Sequence, residues 1–394
     1  MRFRTMLMAA WSMLPFFLTS QNRVYTEEFN VDTRIEEANA YSGRTCAALS
    51  DGKVYVIRSS AGNEHKGTLH VYDLATQRHE DIAFADSRET KALFRGRIEA
   101  LEVVGDKVVI LTDPAIMVFK LGKGKAEFFQ KTENTRSFNV IKKLGKDQLL
   151  LYVNYNFHPM DAPDKHVWAY YDISGNSIIR ARKMPDDNAI FSHYVNSWIS
   201  TCGDRIAYSK TTEYAVYFYN ASFAKTDSIT SDLLSSNRKY AELLARPFEF
   251  SKDNIMSLQQ LDDSALTRIQ KVFYLDTAHV LLTLKLPKLR QLGIHLWEKR
   301  SDAWSLIRAD SIPYFYEAGK AYTTKDNSMT GFYGNADALL NDGKGTIYYV
   351  YSPYMDKILT SSFDMQTDYT DKINGLIKNK RVTYGLKKIT FGIR

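Results

Sequence analysis

Short apolar runs separated by polar turns recur along most of the chain. The clearest step is a polar turn leading into an apolar strand. Asp51, Gly52 and Lys53 lead into Val54, Tyr55, Val56 and Ile57, and the same step returns at residues 105–111, 145–153, 203–208, 276–284 and 342–350. A two- to four-residue polar turn between apolar runs is a hairpin signal. First strands precede these turns at residues 45–49, 98–104, 138–144, 197–201, 269–275 and 336–340. Third strands follow at 69–73, 116–120, 167–172, 215–220, 294–298 and 358–364. Each ends in a polar turn, such as 122–125 or 174–176, before a fourth strand begins.

The pattern predicts an all-β chain, a six-bladed β-propeller of four-stranded antiparallel blades. A lone meander cannot bury both faces, whereas six packed radially can. One domain over residues 22–394 is therefore expected, although length alone suggests two or three. Residues 230–260 and 309–334 fit no blade and leave room for a seventh. Within the first stretch a short helical insertion between blades 4 and 5 is predicted. Ser231 would cap it, Leu233, Leu234, Tyr240, Leu243 and Leu244 would form its apolar side, and Pro247 would stop it. Such a helix would serve as a lid or pack on a blade edge.

An open ring would expose a strand edge. Tyr25, Glu27, Phe29 and Val31 alternate, which predicts an N-terminal strand pairing with the last blade. The rival closing element is a C-terminal hairpin at residues 381–393, where Val382, Tyr384 and Leu386 alternate and then Ile389, Phe391 and Ile393.

The first residues read as an address. Arg2 and Arg4 precede an apolar run at residues 6–18, and Thr19 and Ser20 follow. That is the layout of a cleaved secretory signal peptide at residues 1–21, which implies a periplasmic or extracellular protein. A permanent anchor needs about 20 apolar residues, so no transmembrane anchor is expected.

Composition narrows the class without naming a reaction. Hydrophobic residues at 44% and charged residues at 25% exclude a disordered or collagen-like chain. Removing Arg2 and Arg4 from the net charge of +7 leaves +5, scattered among acids. Basic residues gather only in the tail, at Lys372, Lys378, Lys380, Arg381, Lys387, Lys388 and Arg394. The tail reads as the solvated face of a terminal hairpin, and no nucleic-acid partner is expected for an exported chain. Cys46 and Cys202 are the only cysteines. They fall on opposite blades of a six-blade ring, beyond the roughly 7 Å span of a disulfide, so no bond is expected.

The hairpin motif, best seen at Tyr72-Asp73, Tyr171-Asp172 and Phe363-Asp364, resembles that of secreted bacterial six-bladed propellers of the TolB-like class. The resemblance spans residues 42–374. The marks of WD, kelch and Tyr-Trp-Thr-Asp propellers are missing. Members of this class are mostly uncharacterised, so the resemblance implies compartment and shape more than activity.

Short turns join first to second and third to fourth strands on one face of such a ring. The second-to-third loops and the blade connections gather on the other face and are long, so a site is expected there. The richest loop, residues 154–166, carries His158, Asp161, Asp164 and His166, with His193 on the next connection. These are metal-capable side chains, but zinc spacing is absent and no metal or other cofactor is assigned. His65 and His70 flank another loop without a carboxylate pattern. Arg290 and Tyr354, near Lys288 and Asp356, suit recognition of an anionic or sugar ligand. The favoured reading is a monomeric binding module for a protein, peptide or glycan. The alternative is a metal-assisted hydrolase or lyase, holding calcium or zinc at the channel mouth with His193, Asn196, Glu99 and Asp337. No nucleophile or phosphate-loop motif is present.

Overall fold

The computed structural model describes residues 25–37, 45–58, 67–95, 98–135, 138–152, 167–183, 198–210, 214–231, 268–286, 291–313, 338–351 and 382–391. The chain starts with β1 (Tyr25–Glu37). Then come β2 (Thr45–Ser50), β3 (Lys53–Arg58), β4 (Thr68–Asp73), β5 (His79–Phe84) and one helix, α1 (Arg88–Arg95). The next meander is β6 (Ile98–Val104), β7 (Lys107–Thr112), β8 (Ala115–Leu121) and β9 (Lys125–Glu133). It is followed by β10 (Val140–Leu144), β11 (Gln148–Tyr152), β12 (Val167–Asp172) and β13 (Ser177–Lys183). Then come β14 (Trp198–Cys202), β15 (Arg205–Lys210), β16 (Ala215–Tyr219) and β17 (Lys225–Thr230). The last described strands are β18 (Arg268–Tyr274), β19 (His279–Leu286), β20 (Gln291–Arg300), β21 (Ala303–Pro313), β22 (Ala338–Asn341), β23 (Thr346–Tyr351) and β24 (Val382–Phe391).

Among the described residues these strands form four sheets of four and one sheet of eight. The larger sheet is two antiparallel meanders, β2–β5 and β6–β9, joined at their outer strands. The join is a short parallel pairing of Ala83 with Lys125 and Phe84 with Ala126. An all-β fold of four-stranded antiparallel sheets, the arrangement of a β-propeller, is what the strand pattern predicted.

Strand position explains strand composition. The middle strands β7 and β8 are covered on both faces and read as nearly unbroken apolar runs. The outer strand β9 has one covered face and alternates. Tight turns supply the register. Ser50 pairs with Lys53, and both residues between them, Asp51 and Gly52, adopt positive φ, at 50° and 72°. That is the backbone of a two-residue primed hairpin turn, which suits Asp-Gly. The third-strand motif has a physical role as well. Tyr72 and Tyr171 are buried, while Asp73 and Asp172 fold the following turn. The Asp73 carboxylate accepts from Ala75 N and Thr76 N at 3.0 and 2.8 Å, and that of Asp172 accepts from Ser174 N and Oγ at 2.9 and 2.7 Å.

The first strands β2, β6, β10, β14 and β18 meet in succession, and β22 meets β2. Apolar seams lie between successive meanders. Ile57, Val71, Ile110 and Phe119 fill one, and Val109, Ile141, Leu149 and Tyr171 fill the next. Val54, Tyr72, Leu340 and Leu386 join the β2 meander to the last sheet. Polar stitches reinforce these seams. Cys46 Sγ reaches Ile98 O at 3.8 Å, Gly145 N donates to Gly203 O at 2.7 Å, and Gly345 N donates to Leu275 O at 2.9 Å. Cys46 and Cys202 form no disulfide, as expected.

Three details differ from the sequence reading. The third strand of the last sheet is β24, so residues 358–364 do not hold that place. Residues 381–393 do not turn back as a hairpin; β24 runs through as one strand between β23 and β1. Both ends of the chain therefore complete this sheet, with the N-terminal strand outermost as expected. Of the basic tail, Lys387 and Lys388 lie on this interior strand and not on a terminal hairpin face, and its other members lie outside the described residues. The third detail is that the helix stands between β5 and β6. Ser87 Oγ caps it by accepting Thr90 N at 3.0 Å, and Leu93 and Phe94 bury beneath it. The helix expected at residues 231–247 falls outside the described residues.

Candidate functional site

The inner edge of the β-sheets carries charges where apolar strands would be simplest. Glu102 on β6, Lys142 on β10 and Lys271 on β18 interrupt first strands that are otherwise rich in Val, Ile, Leu and Phe. The pleat explains their common aspect. Ala100 and Val104, two residues either side of Glu102, pack toward the β10 meander, while Leu101 and Val103 pack toward the β2 meander. Glu102 thus faces the next first strand, and its carboxylate accepts Lys143 N and Val103 N, each at 3.1 Å. Ser200 on β14 does the equivalent, accepting Tyr274 N of β18 at 2.9 Å. On the intervening strand β10, Val140 and Leu144 flank Lys142 on the same face and pack toward the β14 meander.

Glu102 and Lys142 are half-buried and Lys271 is buried. Enclosure pushes the Glu102 carboxyl above its ordinary range, although the Lys142 charge and the N–H donors of Val103 and Lys143 oppose this. Enclosure lowers Lys142, opposed by Glu102. Lys271 falls to about 7, first through burial and then through the like charge of Lys142. Lys142 thus acts electrostatically on both neighbours, one from each of two other meanders. Groups with perturbed proton affinity gathered in one enclosed place mark a candidate site.

A second cluster lies on the β4–β5 hairpin. His70 pairs directly across from Asp81, and His79 stands two residues before Asp81 on the same face. His70 Nδ1 lies 2.7 Å and His79 Nε2 3.0 Å from the same oxygen, Asp81 Oδ1. The two imidazoles stack at 5.7 Å with their planes 19° apart. A third histidine, His295, donates to or accepts from Tyr214 Oη at 2.7 Å, and Trp297 Nε1 donates to the same oxygen at 2.9 Å. Burial lowers His295 to about 4, and the network sits within an apolar seam, so it reads as core structure.

His158, Asp161, His166, His193, Arg290 and Tyr354 all lie outside the described residues, as do His65, Asp164, Asn196, Lys288, Asp337 and Tyr354's neighbour Asp356. Glu99 is described, buried on β6, one pleat away from the face that carries Glu102. The sequence reading passed over Glu102, Lys142 and Lys271. Their signal was present: charges inside short first strands, at residues 102 and 142 each two positions before the strand ends.

No protein-family model matches this sequence, and no curated protein matches it. Among solved structures, a candidate exported protein of Bacteroides fragilis aligns over 92% of this chain and 95% of its own, at 11% identity and a TM-score of 0.48. A luciferin-regenerating enzyme covers the same shares at 8% identity and a TM-score of 0.41. Glutaminyl cyclase of Myxococcus xanthus aligns over 73% of this chain and 98% of its own, at 12% identity and a TM-score of 0.32. At these values the likenesses bring neither activity, ligand nor partner to this chain.

Proposed function

We propose that the chain is an exported six-bladed β-propeller of the TolB-like kind that works as a binding module, with residues 1–21 as its cleaved signal peptide. Its ligand is a protein, peptide or glycan approached by the long-loop face, and an acidic group of that ligand is received at the inner edge by Lys142 and Lys271. The six-blade reading is supported by the succession of meanders and by the last sheet, which β1 and β24 complete. One observation carries the functional reading: Glu102, Lys142 and Lys271 are enclosed together on the inner edge. Enclosing charges costs folding free energy, and here Lys142 lies within electrostatic reach of both Glu102 and Lys271. An arriving anion would lie beside both amines and draw a proton onto Lys271.

No helix among the described residues is long and apolar enough to cross a membrane. The test is a binding screen of the mature protein against matched acidic and neutral peptides and glycans, repeated with Lys142→Met and Lys271→Met. Acidic ligands retained by the wild type and lost by both variants support the reading. Retention that ignores charge, or that both variants keep, overturns it.

A further inference from the structure

Two histidines and one carboxylate converge on the β4–β5 hairpin, away from the inner edge. Along the sequence His70 has no supporting carboxylate pattern. Strand pairing supplies one. The register opposes His70 to Asp81 and Tyr72 to His79, so His70, His79 and Asp81 share one face of the strand pair. Their three donor atoms lie within 4.8 Å of one another.

We propose that His70 Nδ1, His79 Nε2 and Asp81 Oδ1 form a binding site for a divalent transition-metal ion, with zinc as the occupant. Two imidazoles and one carboxylate are a borderline donor set that suits zinc and its first-row neighbours and not calcium or magnesium, which prefer all-oxygen cages. The spacing is close to what zinc needs. Tetrahedral bonds of about 2.0–2.2 Å hold donor atoms about 3.3–3.6 Å apart. The observed contacts to Asp81 Oδ1, at 2.7 and 3.0 Å, need only a small opening of side chains already aimed at one point. Without a cation, an imidazole nitrogen that donates to Asp81 does so in the tautomer that places its proton there. A cation bound here would take a lone pair from each of these nitrogens and from the carboxylate, with each ring keeping its one proton on its other nitrogen. The His70 ring is nearly covered, with 11% of its side chain exposed, and so is held in place; the Asp81 side chain, at 58%, leaves an entry path. Three ligands leave one position of a tetrahedron for water or a partner's side chain.

The test uses the tag-free chain stripped with a chelator and titrated with zinc chloride, followed by calorimetry and thermal melting. We expect a saturable component of one zinc per chain, a rise in melting temperature, and two imidazole nitrogens in the zinc X-ray absorption spectrum. His79→Gln and Asp81→Asn, both reachable by solvent, should keep the melting temperature of the metal-free wild type and weaken that component at least tenfold. Calcium and magnesium should leave the melting temperature unchanged. If the wild type binds no zinc saturably, or if the two variants bind it as the wild type does, the proposal fails. Should His79→Gln fail to fold, the more exposed Asp81→Asn decides alone.

Discussion

The seam between the β10–β13 and β14–β17 meanders and the inner edge formed by the first strands β6, β10 and β18 are built by opposite means. In the seam, Phe223 stacks on Trp168 at 4.8 Å and on Tyr170 at 4.3 Å, with planes 13° and 16° apart. Asn220 shapes the turn that presents it, accepting Ser222 N and Ala224 N at 2.9 and 3.0 Å. Phe223 holds a φ of 60°, costly for a bulky residue, and Arg182 Nη1 donates to its carbonyl at 2.8 Å. Apolar area outweighs that strain, and Trp168 Nε1 and Tyr170 Oη meet no hydrogen-bond partner among the described residues. At the inner edge the comparable positions are spent on Glu102, Lys142 and Lys271. A wall of valines there would be cheaper to fold. The difference teaches that the seams are built from apolar area, while the edge carries enclosed charges that apolar packing does not require.

Four experiments would break or sharpen this contrast. The largest effect belongs to the seam. Phe223→Ala should lose about 3–5 kcal/mol of unfolding free energy in denaturant titration, through the cavity left against Trp168 and Tyr170. A loss no greater than that of an exposed aromatic would deny the seam its role.

Next comes Lys271→Met. The Lys271 amine falls to about 7 in the fold from an ordinary 10.5 in the unfolded chain. Above about 10.5 both states are neutral and the lysine costs nothing. As pH falls toward 7 the unfolded chain takes the proton first, so the wild type loses stability over that window, by a few kcal/mol at most. The variant's stability should be flatter from pH 7 to 10. Parallel wild-type and variant curves would show that Lys271 is not enclosed as described.

Glu102→Gln keeps one acceptor for Val103 N or Lys143 N and removes the charge facing Lys142. A loss of about 1–3 kcal/mol is expected at neutral pH. An unchanged midpoint would mean that the edge charges do not interact.

The smallest effect lies on the exposed rim. Hydrogen bonding by Ser174 holds the Asp172 carboxyl below its ordinary range. A depressed carboxyl stabilises the fold above its unfolded pKa, and that contribution fades as pH falls through the folded value. Asp172→Asn should therefore flatten the acid limb of the stability curve slightly, by less than any change above. A loss as large as that of Phe223→Ala would show the turn to be more than a local cap.

Much of the fold was legible because strand periodicity is local. Alternation and Asp-Gly turns need only neighbouring residues, and so did the expectation that residues near Tyr25 would form an added strand. The third strand of the last sheet was misplaced because residues 358–364 and β24 both offer apolar side chains before a terminus or turn, and choosing between them requires a partner strand. Helix α1 was missed because eight residues carry little periodicity, although Ser87 and Thr90 spell a cap before Leu93 and Phe94.

The sequence by itself determined the strand grammar of this protein, its turns and its polar first strands, because those follow from backbone and side-chain preferences within a few residues. The tertiary structure alone decided which side chains became neighbours. Asp81 reaches His70 only across a strand pair, and Lys142 influences both Glu102 and Lys271 only because three separate meanders turn their first strands toward one another. Such proximity is a product of long-range packing, which local composition does not encode.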